Sequence, residues 1–216
     1  MSGEPRAPAQ EAVEAAMKAA VPALRRAEVP FMLGGSLAAW VRGGPPTRKD
    51  LDFMVRPADA ERAVEALAAA GMRTERPVED WLYKAWHDDT LIDLIFRAKG
   101  LEIGDATFAR AEEMDVFAIP MLVMSLEDML TTKLLVLDEH TLDYEPMLQI
   151  ARALREQVDW EDVRRRTSSS PFAKAFFTLV EELGVVARPG APPPQRRSRV
   201  RVVGSPDRGE TAGAAG

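Results

Sequence analysis

Two carboxylates alternate with apolar residues in the segment Asp50-Leu51-Asp52-Phe53, the part of the chain best suited to chemistry. Successive side chains of a β-strand point to opposite faces, so Asp50 and Asp52 would share one face of a strand. Carboxylate oxygens are the ligands that hard cations prefer. The segment therefore predicts a strand that presents a pair of carboxylates on one face.

A glycine-serine turn precedes this strand. The apolar run that begins at Phe31 stops at Gly34-Gly35-Ser36, and a loop rich in glycine, proline and basic residues then leads to Asp50. Ser36 is well placed to cap a short helix over residues 37–42. The pattern predicts a strand, a tight turn and a short helix directly before the carboxylate pair.

Two further charged residues lie on elements downstream. Asp93 belongs to a strand whose opposite face is apolar, since that face carries Ile92, Leu94 and Phe96. Lys133 lies in a helix over residues 125–137, which begins with a capping-box-like segment at Ser125.

The remaining elements change from mixed to helical along the chain. Helical spacing predicts an amphipathic helix over residues 9–27, with a kink or an early end at Pro22. The other predictions are strands at 30–34, 50–56, 72–76, 81–87, 90–97 and about 115–119, and helices at 57–70, 143–155, 160–166 and 171–184. The fold class predicted is α+β, a small twisted mixed sheet with flanking helices and a C-terminal helical region.

Composition restricts the classes of protein and of site. The chain has 216 residues, no cysteine, two histidines and a net charge of −6 at pH 7. These counts exclude disulfides and thiol catalysis, and argue against a histidine zinc site or a general nucleic-acid coat. No signal peptide or membrane span is predicted, so we expect a cytoplasmic protein. The expected domains are residues 1–122 (α/β core), 123–187 (helical region) and 188–216 (disordered tail).

Together, the turn Gly34-Gly35-Ser36, the pair Asp50 and Asp52, and Asp93 on a later strand resemble the nucleotidyltransferase superfamily of the polymerase-beta type. The helix with Lys133, followed by Asp143-Tyr144, is similar to later motifs of minimal nucleotidyltransferases, including AbiEii-type toxins. The resemblance covers residues 10–160.

The resemblance implies roles for these residues. Asp50, Asp52 and Asp93 would bind Mg²⁺, or Mn²⁺ in its place, and Asp93 could take the proton of the acceptor hydroxyl. Gly34, Gly35 and Ser36 would contact the nucleoside triphosphate, and Lys133 would neutralise its charge. Asp143 and Lys49 are weaker candidates for the same site.

The resemblance also implies a reaction and partners. A nucleoside monophosphate, for example from ATP, would pass to a hydroxyl of tRNA, of a protein or of a small molecule. A toxin–antitoxin role would add an antitoxin or helical protein partner. The alternative function is an inactive binding protein that keeps the nucleotidyltransferase fold and acts through a protein partner.

Each residue also has a purely structural interpretation. Gly34-Gly35 could form only a strand-to-helix turn, and Asp50 and Asp52 could be a solvated strand face. Asp93 could form a salt bridge or face solvent at the edge of the sheet. Lys133 could be an exposed helical lysine, and Asp143 could cap a helix.

Overall fold

The computed structural model of the protein describes residues 8–47 and 50–188. Within these residues seven strands form one mixed sheet, in the order β3-β4-β5-β2-β1-β7-β6. The strands are β1 (Phe31–Leu33), β2 (Leu51–Val55), β3 (Arg73–Glu75), β4 (Leu82–His87), β5 (Thr90–Ile95), β6 (Glu112–Val116) and β7 (Ile119–Val123). The helices are α1 (Pro8–Arg26), α2 (Gly35–Trp40), α3 (Ala60–Ala69), α4 (Asp105–Arg110), α5 (Leu126–Leu135), α6 (Glu145–Leu154), α7 (Trp160–Arg166) and α8 (Pro171–Glu182), with a short 3₁₀ helix at Pro57–Asp59 before α3.

The central strand β2 determines where the carboxylates lie. It runs antiparallel to β1 and parallel to β5, and Asp52 is the register partner of Asp93 on β5. Partners in register on neighbouring strands point to the same face of a sheet. The two aspartates therefore lie side by side.

The sheet has a separate apolar core on each face. On one face, the buried side chains of β2 pack with α1 and α3; these side chains are Leu51, Phe53 and Val55. On the other face, Met54 shares a core with Met129 of α5 and Phe176 of α8. Asp52 lies on the same face of β2 as Met54, which is the face covered by the C-terminal helices. That face carries the polar site.

Most of the predicted elements are present. The β4–β5 hairpin, the four C-terminal helices and the closing turn at Gly71 (φ +88°) match the expectations from the sequence. The Ser125 hydroxyl accepts a hydrogen bond from the Asp128 backbone N–H (3.2 Å), as expected for a helix cap. Helix α1 continues through Pro22 instead of ending there. None of the described helices is long and apolar enough to cross a membrane.

Two predictions about local structure were wrong. The N-cap of α2 is Gly34, so Ser36 lies inside the first turn and does not cap the helix. The strand expected near 115–119 is instead a hairpin of β6 and β7, with a turn at Phe117-Ala118. Pro120 lies in β7 opposite Asp115 of β6.

Candidate active site

The Asp52 carboxylate lies against the turn between β1 and α2. The Gly34 N–H donates to the Asp52 carbonyl (2.8 Å), which holds the turn to β2. Gly35 has a φ of +58°, and a Cβ atom there would lie 1.6 Å from Asp52 Oδ2. Position 35 therefore requires glycine both for its backbone conformation and because the carboxylate occupies the space of a side chain.

Lys133 reaches the same turn from α5. Its ammonium group donates to the Ser36 hydroxyl (3.3 Å), although the two residues are 97 positions apart in the chain. Burial lowers the pKa of Lys133, and the nearby Asp52 carboxylate opposes that shift. Lys133 is thus a largely buried cation beside Gly35, Ser36 and Asp52, and not an exposed helical lysine.

Asp93 lies beside Asp52 with one oxygen left unpaired. Its Oδ1 is buried and has no hydrogen-bond partner among the described residues. Burial raises the pKa of Asp93; the Lys84 ammonium lowers it and the Asp50 carboxylate raises it. Lys84 is the cross-strand partner of Asp93. No role was predicted for Lys84, although a hairpin with its turn at Asp88-Asp89 places Lys84 opposite Asp93.

The pKa of Asp52 is raised to about 6. Burial is the main cause, the charge of Lys133 opposes it, and the Asp93 and Asp50 carboxylates add to it. Desolvation and like charges both disfavour an ionised carboxylate. Three aspartates thus interact electrostatically with one another and with two lysines, Lys133 and Lys84, and such a cluster is typical of a functional site.

A divalent cation fits the chemistry of this donor set. The unpaired buried oxygen of Asp93 and the raised pKa of Asp52 both indicate an excess of carboxylate oxygen over protein donors. Within residues 8–47 and 50–188, however, no three acidic, histidine or cysteine side chains converge closely enough to hold an ion by themselves. Asp50 is exposed and lies just before β2. Oxygens of a substrate would have to complete the coordination.

A buried ion cluster fixes the helix that carries Lys133. Asp128, in the first turn of α5, is fully buried and accepts from both Arg110 of α4 (3.0 and 3.1 Å) and Arg166 of α7 (2.6 Å). Two arginines thus neutralise one buried carboxylate. The cluster joins three helices and holds α5 over the sheet.

A cavity of about 770 Å³ opens from Asp52 along the strands and under α5. Gly35, Asp52 and Lys133 line its inner end. Its outer end is formed by residues from the segments before β4 and after β5, which no sequence pattern groups together: Asp80, Trp81, Arg97, Ala98 and Lys99.

Of the two weaker candidates, only Asp143 is among the described residues, and it does not line the cavity. Asp143 is exposed, and its carboxylate accepts from the Glu145 N–H (2.9 Å), but the residue that caps α6 is Tyr144. Lys49 and the tail from residue 189 onward lie outside the described residues.

Comparison with known proteins agrees with this geometry. Residues 9–184 match a protein family described as an uncharacterised nucleotidyltransferase. No curated protein sequence matches the chain.

Among solved structures, the crystal structure of ANT(2″)-Ia in complex with adenylyl-2″-tobramycin is similar at a TM-score of 0.55 and 17% identity, over 75% of this chain and 97% of that one. The lincosamide adenylyltransferase LnuA, with lincomycin bound, gives a TM-score of 0.47 at 13% identity over 70% of this chain and 96% of LnuA. A putative nucleotidyltransferase from Thermotoga maritima gives 0.44 at 14% identity, over 74% of this chain and 95% of that one. The mixed sheet with flanking helices and the similarity to ANT(2″)-Ia confirm the fold predicted from the sequence.

Proposed function

The chain belongs to a family of nucleotidyltransferases, and we propose on that premise that it transfers a nucleoside monophosphate from a nucleoside triphosphate to a hydroxyl acceptor. The observation that carries the proposal is the contact of Gly35 with the Asp52 carboxylate, beside Asp93 and Lys133. This arrangement combines an acidic pair with a buried cation, and that combination suits a triphosphate substrate.

Each residue has a role in the proposed reaction. The acceptor oxygen bonds to the α-phosphorus, the bond from that phosphorus to the bridging oxygen breaks, and pyrophosphate leaves. Lys133 balances the negative charge of the phosphates, and Gly35 lets them approach the backbone closely. The Asp93 carboxylate accepts the hydroxyl proton. No covalent enzyme intermediate is needed, because positioning and charge stabilisation lower the barrier.

Asp52 and Asp93, with Asp50 at the entrance, would hold Mg²⁺ or Mn²⁺. When bound, the cation would stabilise the negative charge that develops on the attacking and leaving oxygens. The unpaired Oδ1 of Asp93 supports this assignment.

For the acceptor we propose a small hydroxylated compound. A volume of about 770 Å³ falls within the range of cavities that enclose small ligands, about 300–1,000 Å³. ANT(2″)-Ia, of the same fold, was crystallised with an adenylylated small molecule. A tRNA or protein acceptor, as in a toxin–antitoxin system, is the competing hypothesis.

The test is a screen of the four α-labelled nucleoside triphosphates, with Mg²⁺ or Mn²⁺, against pooled small hydroxyl compounds, total tRNA and protein. Label in the small-molecule pool that disappears in Asp52→Asn and persists in Asp115→Asn, an exposed carboxylate on β6, supports the proposal. Label only in tRNA or protein refutes the acceptor class. If no triphosphate binds by calorimetry while a protein partner is captured, the chain is an inactive binding protein.

A further inference from the structure

The in-line geometry of the proposed reaction assigns the two ends of the cavity to different substrates. Gly35 and Ser36 follow β1 on one side of Asp52, whereas Asp93 lies on β5 on the other side. An attacking oxygen must approach the α-phosphorus opposite to the leaving pyrophosphate. With the triphosphate at Ser36 and Lys133, the acceptor enters over β5 and β4.

The cavity lining on that side consists of an exposed aromatic ring and charged residues. Trp81 is 43% exposed, and its carbonyl accepts from the N–H groups of Phe96 (3.0 Å) and Arg97 (3.1 Å). These bonds fix its backbone to the end of β5. A tryptophan anchored in this way at a cavity mouth offers a flat apolar surface on which a ring can stack.

The charges of the lining residues leave one cation without a counter-charge. Asp52 lies near Lys133, and Asp80 is paired with Arg97 (2.6 Å). Lys99 is exposed and forms no ion pair within the described part of the chain. The residues that form the outer end thus carry one net positive charge, which favours a negatively charged group on a ligand bound there.

The other residues that line the cavity are mostly apolar. They are methionines, aliphatic side chains and one threonine: Met54, Ile95, Met124, Met129, Thr132 and Val136. Val136 is 52% exposed, although the side chain is apolar. A ligand with an apolar ring would cover this surface, whereas a highly hydrated polycation would not.

We propose that the acceptor is a hydroxyl compound with a flat apolar ring and a negatively charged group, bound by Trp81 and Lys99, and that polycations are rejected. This inference rests on the proposed function, because it assigns the acceptor half of the same site. Neither the family nor the structures of similar fold specify this class.

Three probes with one skeleton test the proposal: 4-nitrophenyl β-D-glucuronide (anionic), the glucoside (neutral) and the 2-amino-2-deoxyglucoside (cationic). Binding to the full chain is measured by calorimetry with and without a non-hydrolysable triphosphate. We expect the glucuronide to bind tightest and the amino sugar weakest, with about a fivefold gain from the carboxylate, as for an exposed ion pair.

Variants separate the two contacts. Lys99→Gln should remove the preference for the glucuronide, whereas Lys174→Gln, on the exposed face of α8, should leave it unchanged. Trp81→Ala should weaken all three probes about tenfold, the value of one stacking contact. Trp81→Phe, which keeps a stacking ring, should restore most of the affinity if the alanine variant folds poorly.

The proposal is overturned if the amino sugar binds tightest, if Lys99→Gln leaves the ratio unchanged, or if none of the probes binds. Calorimetry with the triphosphate alone distinguishes this failure from that of the proposed function. A chain that binds the triphosphate and rejects all three probes contradicts only the acceptor class. A chain that binds no triphosphate contradicts the reaction itself.

Discussion

Replacing Asp52 by asparagine should make the protein more stable at neutral pH. The pKa of Asp52 is about 6 in the folded protein against 3.8 for the isolated side chain. Between these values the folded state binds more protons than the unfolded state, so stability falls as pH rises. The contribution of Asp52 is fully present below pH 3.8 and is lost as pH rises through about 6.

The size of this gain in stability follows from the shift in the pKa of Asp52. Each pKa unit corresponds to about 1.4 kcal/mol, so an ionised Asp52 costs the fold about 3 kcal/mol at pH 7.5. An amide of the same shape removes that cost, and the attraction between Asp52 and Lys133 is already included in the net shift of the pKa. We expect Asp52→Asn to raise the free energy of unfolding by about 3 kcal/mol, or the melting temperature by about 6–12 °C.

The assay is urea unfolding at pH 4, 6 and 7.5 in EDTA, with Asp115→Asn as the exposed control. The gain for Asp52→Asn should be small at pH 4 and grow through pH 6, while the control stays flat. A gain that is independent of pH, or a loss of stability at pH 7.5, would refute the burial and charge argument.

Three further predictions concern the elements around Asp52. Gly35→Ala places a Cβ atom on the Asp52 carboxylate and should lower the transfer rate about 100-fold, because a misplacement of about 1 Å costs that much. The control is Gly184→Ala: Gly184 has a similar φ (+65°), but a Cβ atom there would meet open space, so the transfer rate should not change. Lys133→Gln should weaken triphosphate binding at least tenfold in calorimetry and raise the pKa of Asp52 further, as seen by NMR titration, whereas Lys174→Gln should change neither. Asp128→Asn should cost about 1.5–3 kcal/mol in urea unfolding, because Arg110 loses its ion-pair partner while Arg166 keeps its pair with Asp162, and unchanged stability would show that the cluster contributes little.

The inner end of the site was predictable because its residues follow from local patterns. The alternation of polar and apolar residues placed Asp50 and Asp52 on one face of the strand predicted at residues 50–56. The same alternation in β5, where one face is apolar, identified Asp93 on the other face. Helical spacing and the cap at Ser125 gave the helix that carries Lys133. These signals depend only on neighbours in sequence.

The outer end was not predictable in the same way. Asp80, Trp81 and Lys99 lie in segments without periodicity, and only the pairing of β4 with β5 brings them together. Strand β7 was missed because its turn uses positive φ angles at Phe117 and Ala118, which are not glycines. Residues other than glycine rarely adopt a positive φ, so the sequence carried no turn signal at these two positions.

The central claim is that the α-phosphate of a nucleoside triphosphate is transferred at Asp52. The direct measurement uses one triphosphate labelled at the α-phosphate with one isotope and at the γ-phosphate with another, together with the acceptor found in the screen. The α-label should appear on the acceptor and the γ-label in pyrophosphate, and both products should disappear in Asp52→Asn. The γ-label on the acceptor, or undiminished transfer in Asp52→Asn, would contradict the account.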